Sequence, residues 1–297
     1  MKPHITFPYI RLALKPRLLL ALLLLIALTT GLLFFPKSAA QLTIFNNFQQ
    51  INSQCSTTLG LHQPYTKGSI TGLSSPFTLF NWNIYKQQGN QWQEKLQEWM
   101  ADADLLTLQE VKYSPAIKLF SERNKLSYIQ NYAFNYQGFV YGVATLSRQV
   151  ALSVCGTRDN EPWIRVYKTG LASRYALNNH HDSLLLINLH AVNFTFTTEP
   201  LRKQLQPYLA QIATHPGPVI FSGDFNTWSD ARLATINTVL HNHGFHEVLF
   251  NQDQRITRFG HPLDHIYFRG LTVIKAESMA TQASDHTPQL VTFALLP

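Results

Sequence analysis

The hydrophobic pattern divides the chain into three stretches. Residues 18–35 form one uncharged, leucine-dominated run with no polar face, a pattern that gives a helix no reason to lie on a soluble core. Residues 36–75 are rich in Gln, Asn, Ser, Thr and Gly and lack periodicity, which suits a linker leading into an irregular cap. From residue 76 onward short apolar runs alternate with helical stretches. Residues 77–85, dense in Phe, Leu, Trp, Ile and Tyr, read as a strand. Trp92, Leu96 and Trp99 recur at helical spacing. Residues 105–111 read as a buried strand, and Ser114-Pro115 as the cap and first-turn pair that opens a helix. Further strands are expected over 139–146, 151–154, 164–167, 184–189, 218–221, 266–268, 271–274 and 290–293, with helices over 201–213 and 232–240. Helices placed irregularly among so many strands predict an α/β fold of two packed sheets with outer helices, not a regular doubly wound sheet. The chain thus divides into a basic segment 1–17, an apolar helix 18–35, a linker and cap 36–75, and one domain over 76–297.

Charge adds an orientation. The net charge is +7, yet five basic residues (Lys2, Arg11, Lys15, Arg17, Lys37) and no acidic one precede residue 41. Setting them aside leaves 19 basic against 17 acidic residues, an ordinary surface balance and not the footprint of a dedicated nucleic-acid binder. At ~1.5 Å rise per residue, a helix over 18–35 comes close to the ~30 Å hydrocarbon core of a bilayer. Basic residues on its N-terminal flank keep that end in the cytoplasm and export the rest. The helix is then either a retained transmembrane anchor or a signal cut near Ser38-Ala39-Ala40, whose small residues suit a peptidase. With 45% hydrophobic and 14% charged residues, the exported part has ample core and no disorder signature. Cys55 and Cys155 are either a disulfide, which export permits, or two buried thiols. No CxxC or HExxH spacing marks a zinc site, and His180-His181 and His241-Asn242-His243 read as loop or helix-end residues.

Chemistry-bearing residues recur where the expected strands end, the places from which loops present groups on a rigid scaffold. Asn83 follows the first strand, and Glu110 closes the second. Asn188 and His190, two apart and so on one face, end the strand at 184–189. Gly223-Asp224-Phe225-Asn226 follows the strand at 218–221, Asp264 opens Leu263-Asp264-His265, and Ser284-Asp285-His286 precedes the last strand. Each element alone has an ordinary structural explanation, such as a side-chain-bonded turn for Asp224 and Asn226 or a cap for Ser284-Asp285-His286. Structural roles do not, however, gather one Glu, three Asp, three Asn and two His at strand ends.

The order and identity of these motifs resemble a known superfamily. Trp82-Asn83, Leu108-Gln109-Glu110, the segment Gly142-Val143-Ala144-Thr145-Leu146-Ser147-Arg148, Asn188-Leu189-His190, Gly223-Asp224-Phe225-Asn226, Leu263-Asp264-His265 and Ser284-Asp285-His286 resemble the successive signatures of the endonuclease/exonuclease/phosphatase superfamily. The stretches Trp82-Asn83-Ile84-Tyr85-Lys86-Gln87-Gln88 and His190-Ala191-Val192-Asn193-Phe194 resemble more particularly the YafD-type bacterial proteins. The resemblance spans residues 76–296. It implies a four-layer sandwich of two mixed β-sheets between helices, and hydrolysis of phosphate esters assisted by Mg²⁺, with Mn²⁺ as the substitute. With the apolar helix and its basic flank, a bacterial protein of this kind is expected in the inner membrane, single-pass through residues 18–35 with the catalytic domain in the periplasm, or secreted if the helix is cut.

Water attack on a phosphodiester requires a cation for oxygen charge, a base for the water and donors for the developing negative charge. Glu110 is the leading magnesium ligand, with Asn83 beside it and Asp285 as a second metal-site or orienting carboxylate. His286, oriented by Asp264, is the candidate general base, and Asp224 is its rival. Asn226 is expected to bond the phosphoryl oxygen, and His190 to donate to the phosphate or protonate the leaving oxygen. Two departures narrow the substrate. Tyr85 stands where abasic-site nucleases carry Asp, and His190 stands where they carry Tyr; a His there resembles pancreatic-type deoxyribonucleases and sphingomyelinase-type phosphodiesterases. Glu161 is the candidate acidic partner of His190, and Arg148, Arg158, Arg165 and Arg174 are candidates for a nucleic-acid groove. The reading is a nuclease-like phosphodiesterase. The alternatives are a lipid phosphodiesterase or phosphatase, and a catalytically silent module that binds a phosphorylated ligand at the membrane. No protein partner is inferable.

Overall fold

The computed structural model describes Leu18 and residues 20–25, 36–38, 41–55, 71–162 and 166–296. Residues 1–36 and 37–297 form separate units. In the first, Leu18 and residues 20–25 are helical and their leucines exposed; the rest of the apolar run lies outside the described residues. Among the described residues, no helix is long and apolar enough to cross a membrane.

The second unit carries the chemistry. Its strands are Lys37–Ser38 (β1), Ile44–Asn46 (β2), Gln49–Ile51 (β3), Phe77–Asn83 (β4), Leu105–Lys112 (β5), Ser127–Tyr136 (β6), Phe139–Ser147 (β7), Ser153–Asn160 (β8) and Tyr167–Tyr175 (β9). They continue with Leu184–His190 (β10), Val219–Asp224 (β11), His246–Glu247 (β12), Thr257–Arg258 (β13), His261–Pro262 (β14), Asp264–Arg269 (β15), Leu271–Ser278 (β16) and Gln289–Leu295 (β17). The helices are Trp92–Trp99 (α1), Pro115–Arg123 (α2), Glu199–Thr214 (α3) and Asp230–His241 (α4). One sheet runs β16-β17-β4-β5-β7-β6-β2-β3, with β1 also on β6; the other runs β12-β15-β11-β10-β9-β8. Both are mixed: β4 pairs with β5, and β10 with β11, in parallel, while the remaining pairs are antiparallel.

Alternation along β4 builds the layers. Phe77 and Leu79 point inward with Leu184, Leu186, Ile220 and Ile266 of the other sheet, whereas Phe80 and Trp82 point outward against Leu96, Ile117 and Phe120 of α1 and α2. On the far side, Leu201, Leu205, Tyr208 and Ile236 of α3 and α4 cover Leu185, Ile187 and Phe221. Helix, sheet, sheet and helix therefore stack as four layers, as the sequence implied. The Ser114 side chain accepts from the Ile117 N–H at 3.4 Å, with Pro115 in the first turn. Cys55 and Cys155 form a disulfide, Cα–Cα 4.9 Å, which ties the segment before residue 56 to β8.

Three expectations shift. Strand β6 had no counterpart in the apolar pattern. The strand expected at 151–154 begins at Ser153 and runs to Asn160, and that expected at 164–167 begins only at Tyr167 and runs to Tyr175; residues 163–165 lie outside the described residues.

Candidate active site

Strand register assembles the centre. His190 lies opposite Asp224 across the parallel β10–β11 pair, and Asp224 lies opposite Asp264 across the antiparallel β11–β15 pair. Three chemical side chains thus leave neighbouring strands at one height. Gly223 allows the close approach: its φ is +143°, and a Cβ there would stand 2.0 Å from the Leu189 carbonyl oxygen. The turn after it is fixed by the Asp224 carboxylate, which accepts from the Asn226 N–H at 2.9 Å. Asn226, at φ +50°, donates through Nδ2 to the Ala191 carbonyl at 3.0 Å. In the first sheet, pairing between β5 and β7 slips between Leu108 and Val111, and Glu110 sits in that irregularity at φ +57°. A bulge that holds a non-glycine residue left-handed re-aims its side chain at a backbone cost, a device concentrated at functional sites. The His286 loop is strapped to the end of β4: Trp82 Nε1 donates to the His286 carbonyl at 3.0 Å, and Ser284 Oγ to the Asn83 carbonyl at 2.7 Å.

These elements enclose a cleft of ≈ 590 Å³ lined by Glu110, His190, Asp224, Asn226, Asp285 and His286. Asp264 accepts from His286 Nδ1 at 2.7 Å. Asn83 Nδ2 donates to Asp224 Oδ2 at 3.1 Å and lies 3.5 Å from His286 Nε2. Eight of the residues singled out in the sequence, Asn83, Glu110, His190, Asp224, Asn226, Asp264, Asp285 and His286, therefore meet. Asn188 does not join them. Buried between the sheets, it accepts from Gln109 Nε2 at 2.8 Å and donates to the Ala144 carbonyl at 2.9 Å, so it is a tie between layers.

Two lysines given no chemical role by the sequence complete the centre. Lys168, on β9, lines the cleft with its Nζ 2.5 Å from His190 Nε2. Lys86, in a left-handed turn at Tyr85–Gln87, pairs with the Glu110 carboxylate. Glu161 is no partner of His190; it is buried and accepts from the backbone N–H groups of Asn193 and Phe194 at 2.7 and 2.6 Å. His190's carboxylate neighbour is Asp224, at 3.4 Å. The arginines considered for a groove are engaged elsewhere: Arg148 donates to the carbonyls of Ala103 and Ala101, Arg158 lies over the Tyr167 ring, and Arg174 donates to Ser183. Arg165 lies outside the described residues. The basic lining of the cleft, among the described residues, is Lys168 and Arg258.

The electrostatics follow from burial and these neighbours. Burial pulls His286 toward neutrality, but Asp264 and Asp224 outweigh it and raise its pKa far above 6.5. Burial raises Asp224 above the ordinary Asp value, aided by Asp264 and opposed by His286. His190 is driven well below 6.5 by burial and by Lys168. A neutral ring facing an ammonium accepts at Nε2, so in the contact between the two Lys168 Nζ donates and His190 Nε2 accepts. Burial works to raise Glu110, yet Lys86 and Lys168 hold it below its usual value.

For a divalent ion, the carboxylates of Glu110 and Asp285 face one cleft and offer the oxygen donors that Mg²⁺ prefers. Asn83 contacts Asp224 and His286 instead, and its Oδ1 accepts from the Tyr85 N–H at 3.1 Å. The ammonium of Lys86 on Glu110 marks that carboxylate as a place where positive charge is stable. Asp224, Asp264 and His286 also present donor atoms within 4.8 Å of one another, but these are bonded into one chain. The carboxylates of Glu110 and Asp285 in the cleft lining are the oxygen donors that suit a hard divalent cation.

Comparison with known proteins agrees with this geometry. Residues 80–286 match the Endonuclease/Exonuclease/phosphatase family. A UPF0294 protein of Vibrio vulnificus is 42% identical over 239 residues, covering 80% of this chain and 83% of the relative. Among solved structures, ANGEL2, described as a 2',3'-cyclic phosphatase in complex with adenosine-2',3'-vanadate, superposes with a TM-score of 0.60 at 16% identity, covering 78% of this chain and 99% of that one. D. rerio TDP2 complexed with single-strand DNA product gives 0.52 at 18%, covering 74% and 99%. The chain belongs to the endonuclease/exonuclease/phosphatase family, among its UPF0294 members.

Proposed function

We propose that this protein hydrolyses phosphodiester bonds in nuclease-like fashion with Mg²⁺, or Mn²⁺ in its place, as cofactor. The observation that carries the reading is the Asp264–His286–Asp224 chain at the cleft, with Nδ1 of His286 2.7 Å from Asp264 and Nε2 3.8 Å from Asp224. A cation held by Glu110, Asp285 and Asn83 would supply charge neutralisation for the phosphoryl oxygens. His286, kept protonated by its two carboxylates, donates from Nε2 to a phosphoryl oxygen. Asp224, buried and raised in pKa, is ionised at neutral pH yet basic enough to take the proton of the attacking water. The second N–H of the Asn226 amide is oriented by the first, and Lys168 offsets charge on the leaving oxygen. The membership of the family supports phosphoester chemistry, and the DNA product on TDP2 supports the nuclease side.

The test is a substrate panel on the full-length chain in Mg²⁺: plasmid DNA, single-stranded oligonucleotide, sphingomyelin vesicles and a phosphomonoester. Cleavage of the nucleic acids above the others supports the reading. Preference for vesicles or the monoester transfers the site to lipid phosphodiesterase or phosphatase chemistry, and binding without turnover of any of them identifies a silent module. The proposal places the catalytic unit in the periplasm, held to the inner membrane through residues 18–35 or released if that helix is cut. The Cys55–Cys155 disulfide supports an oxidising compartment. A reporter fused after Pro297 that works only in the cytoplasm refutes it.

A further inference from the structure

The mouth of the cleft is aromatic, and its rings are held in place although solvent reaches them. Phe194, 53% exposed, follows the end of β10; Phe259, 86% exposed, sits at the tip of the β13–β14 hairpin; Trp228 follows β11. All three line the same cleft as Asp224 and His286. Exposed aromatics scattered singly need no explanation, but these are fixed at some expense. Buried Glu161 clamps the backbone of Phe194 and Asn193 through two N–H bonds. Trp228 Nε1 donates to Asn193 Oδ1 at 2.8 Å, which locks the indole to the Phe194 loop. Arg232 lies over the Trp228 ring, 5.5 Å from its centroid, and donates to the Val192 carbonyl and to Thr195 Oγ1. Phe259 meets Trp228 edge to face, with ring centroids 6.3 Å apart. It occupies a left-handed position, φ +51°, where a hairpin turn favours Asn, Asp or Gly and a bulky side chain is strained.

Rings so placed beside the reacting phosphate, with Lys168 and Arg258 in the same lining, match a ligand that joins a phosphate to a flat aromatic group. Resting on the phosphodiesterase reading, we infer that Phe194, Trp228 and Phe259 form a stacking platform for an unpaired nucleobase next to the scissile phosphate, so that the substrate is a single-stranded nucleic acid. A duplex keeps its bases stacked on one another and offers no free π face. A lipid surface would use rings projecting away from the catalytic cleft, whereas these line it.

Binding in EDTA separates this inference from the chemistry. Fluorescence anisotropy of labelled ligands on the full-length chain compares a single-stranded oligonucleotide, an abasic oligomer of the same length and a duplex; co-sedimentation with phosphatidylcholine–phosphatidylglycerol vesicles is the fourth arm. Stacking on aromatic side chains gives roughly a 5- to 150-fold preference for the base-bearing strand over the abasic one. Phe259→Ala and Phe194→Ala should each bring that ratio toward one, and Phe259→Trp should retain it. Equal affinity for the two strands, a ratio that survives both alanine variants, or rings required only for vesicle binding would each overturn the inference. Because no turnover is needed, base-dependent binding without hydrolysis would sink the catalytic reading alone, and base-indifferent binding with hydrolysis would sink this one alone.

Discussion

Asp264→Asn tests whether His286 works as a cation. With an effective dielectric near 20, the Asp264 oxygen 2.7 Å from the ring attracts the imidazolium by about 6 kcal/mol, and Asp224 at 3.8 Å by about 4 kcal/mol. The rise of the His286 pKa from 6.5 to about 10 corresponds to about 5 kcal/mol, so burial cancels roughly half of the attraction. Removing the Asp264 charge deletes the larger share and leaves the cost of burial in excess of what Asp224 supplies. The His286 pKa then falls below its ordinary 6.5, and the ring is neutral at pH 7. The proposed mechanism needs Asp224 ionised and His286 protonated, so it predicts a bell-shaped pH profile with limbs near 6 and near 10. In Asp264→Asn the alkaline limb moves below 7. At pH 8 the loss of a charged donor to the phosphoryl group costs on the order of 10²-fold in kcat, with partial recovery on acidification. Histidine NMR titration of the metal-free protein, assigned with His286→Gln, reads the shift directly. A wild-type His286 that titrates near 6.5, or an Asp264→Asn profile that keeps its alkaline limb, would refute the reasoning.

Other consequences follow from single contacts. Lys86→Met removes an ammonium that competes for Glu110, so Mg²⁺ affinity by calorimetry should tighten about fivefold, the equivalent of about 1 kcal/mol; unchanged affinity would mean that Lys86 does not compete. Asn188→Ala removes the bonds to Gln109 Nε2 and the Ala144 carbonyl, while Gln109 Nε2 keeps Asn81 Oδ1 at 3.0 Å, and should lower stability in urea by about 1–2 kcal/mol. Cys155→Ser releases a loop with a sequence separation of 100 and should cost about 4 kcal/mol, visible as a lower denaturation midpoint.

The parts of the fold that the sequence disclosed are those where local pattern and tertiary role agree. The residues of β4 alternate between two apolar environments, and Ser114-Pro115 caps a helix as such a pair should. Strand β6 escaped because Gln130 and Asn131 interrupt its apolar run. Both are buried, and their amide N–H groups go to distant carbonyls, Gln130 donating to that of Val111 and Asn131 to those of Thr157 and Gly170. Tertiary bonding makes such a strand, and the local pattern does not show it. The site behaves likewise. Residues in motifs at strand ends were legible because their type and order carry chemistry. Lys168 and Lys86 were not, since a lone lysine on a strand or turn resembles any surface lysine until the sheets bring His190 and Glu110 to it. Asn188 is the opposite case. It shares a face with His190, but it lies one residue pair deeper, where that face meets the other sheet.

Turnover of bis(4-nitrophenyl) phosphate by the purified full-length chain, in Mg²⁺ and in EDTA, is the most direct test of the central claim, with Asp224→Ala and His286→Ala verified as folded. The account predicts hydrolysis that requires the metal and is lost in both variants. Hydrolysis that persists in EDTA, or that survives either substitution, would contradict it.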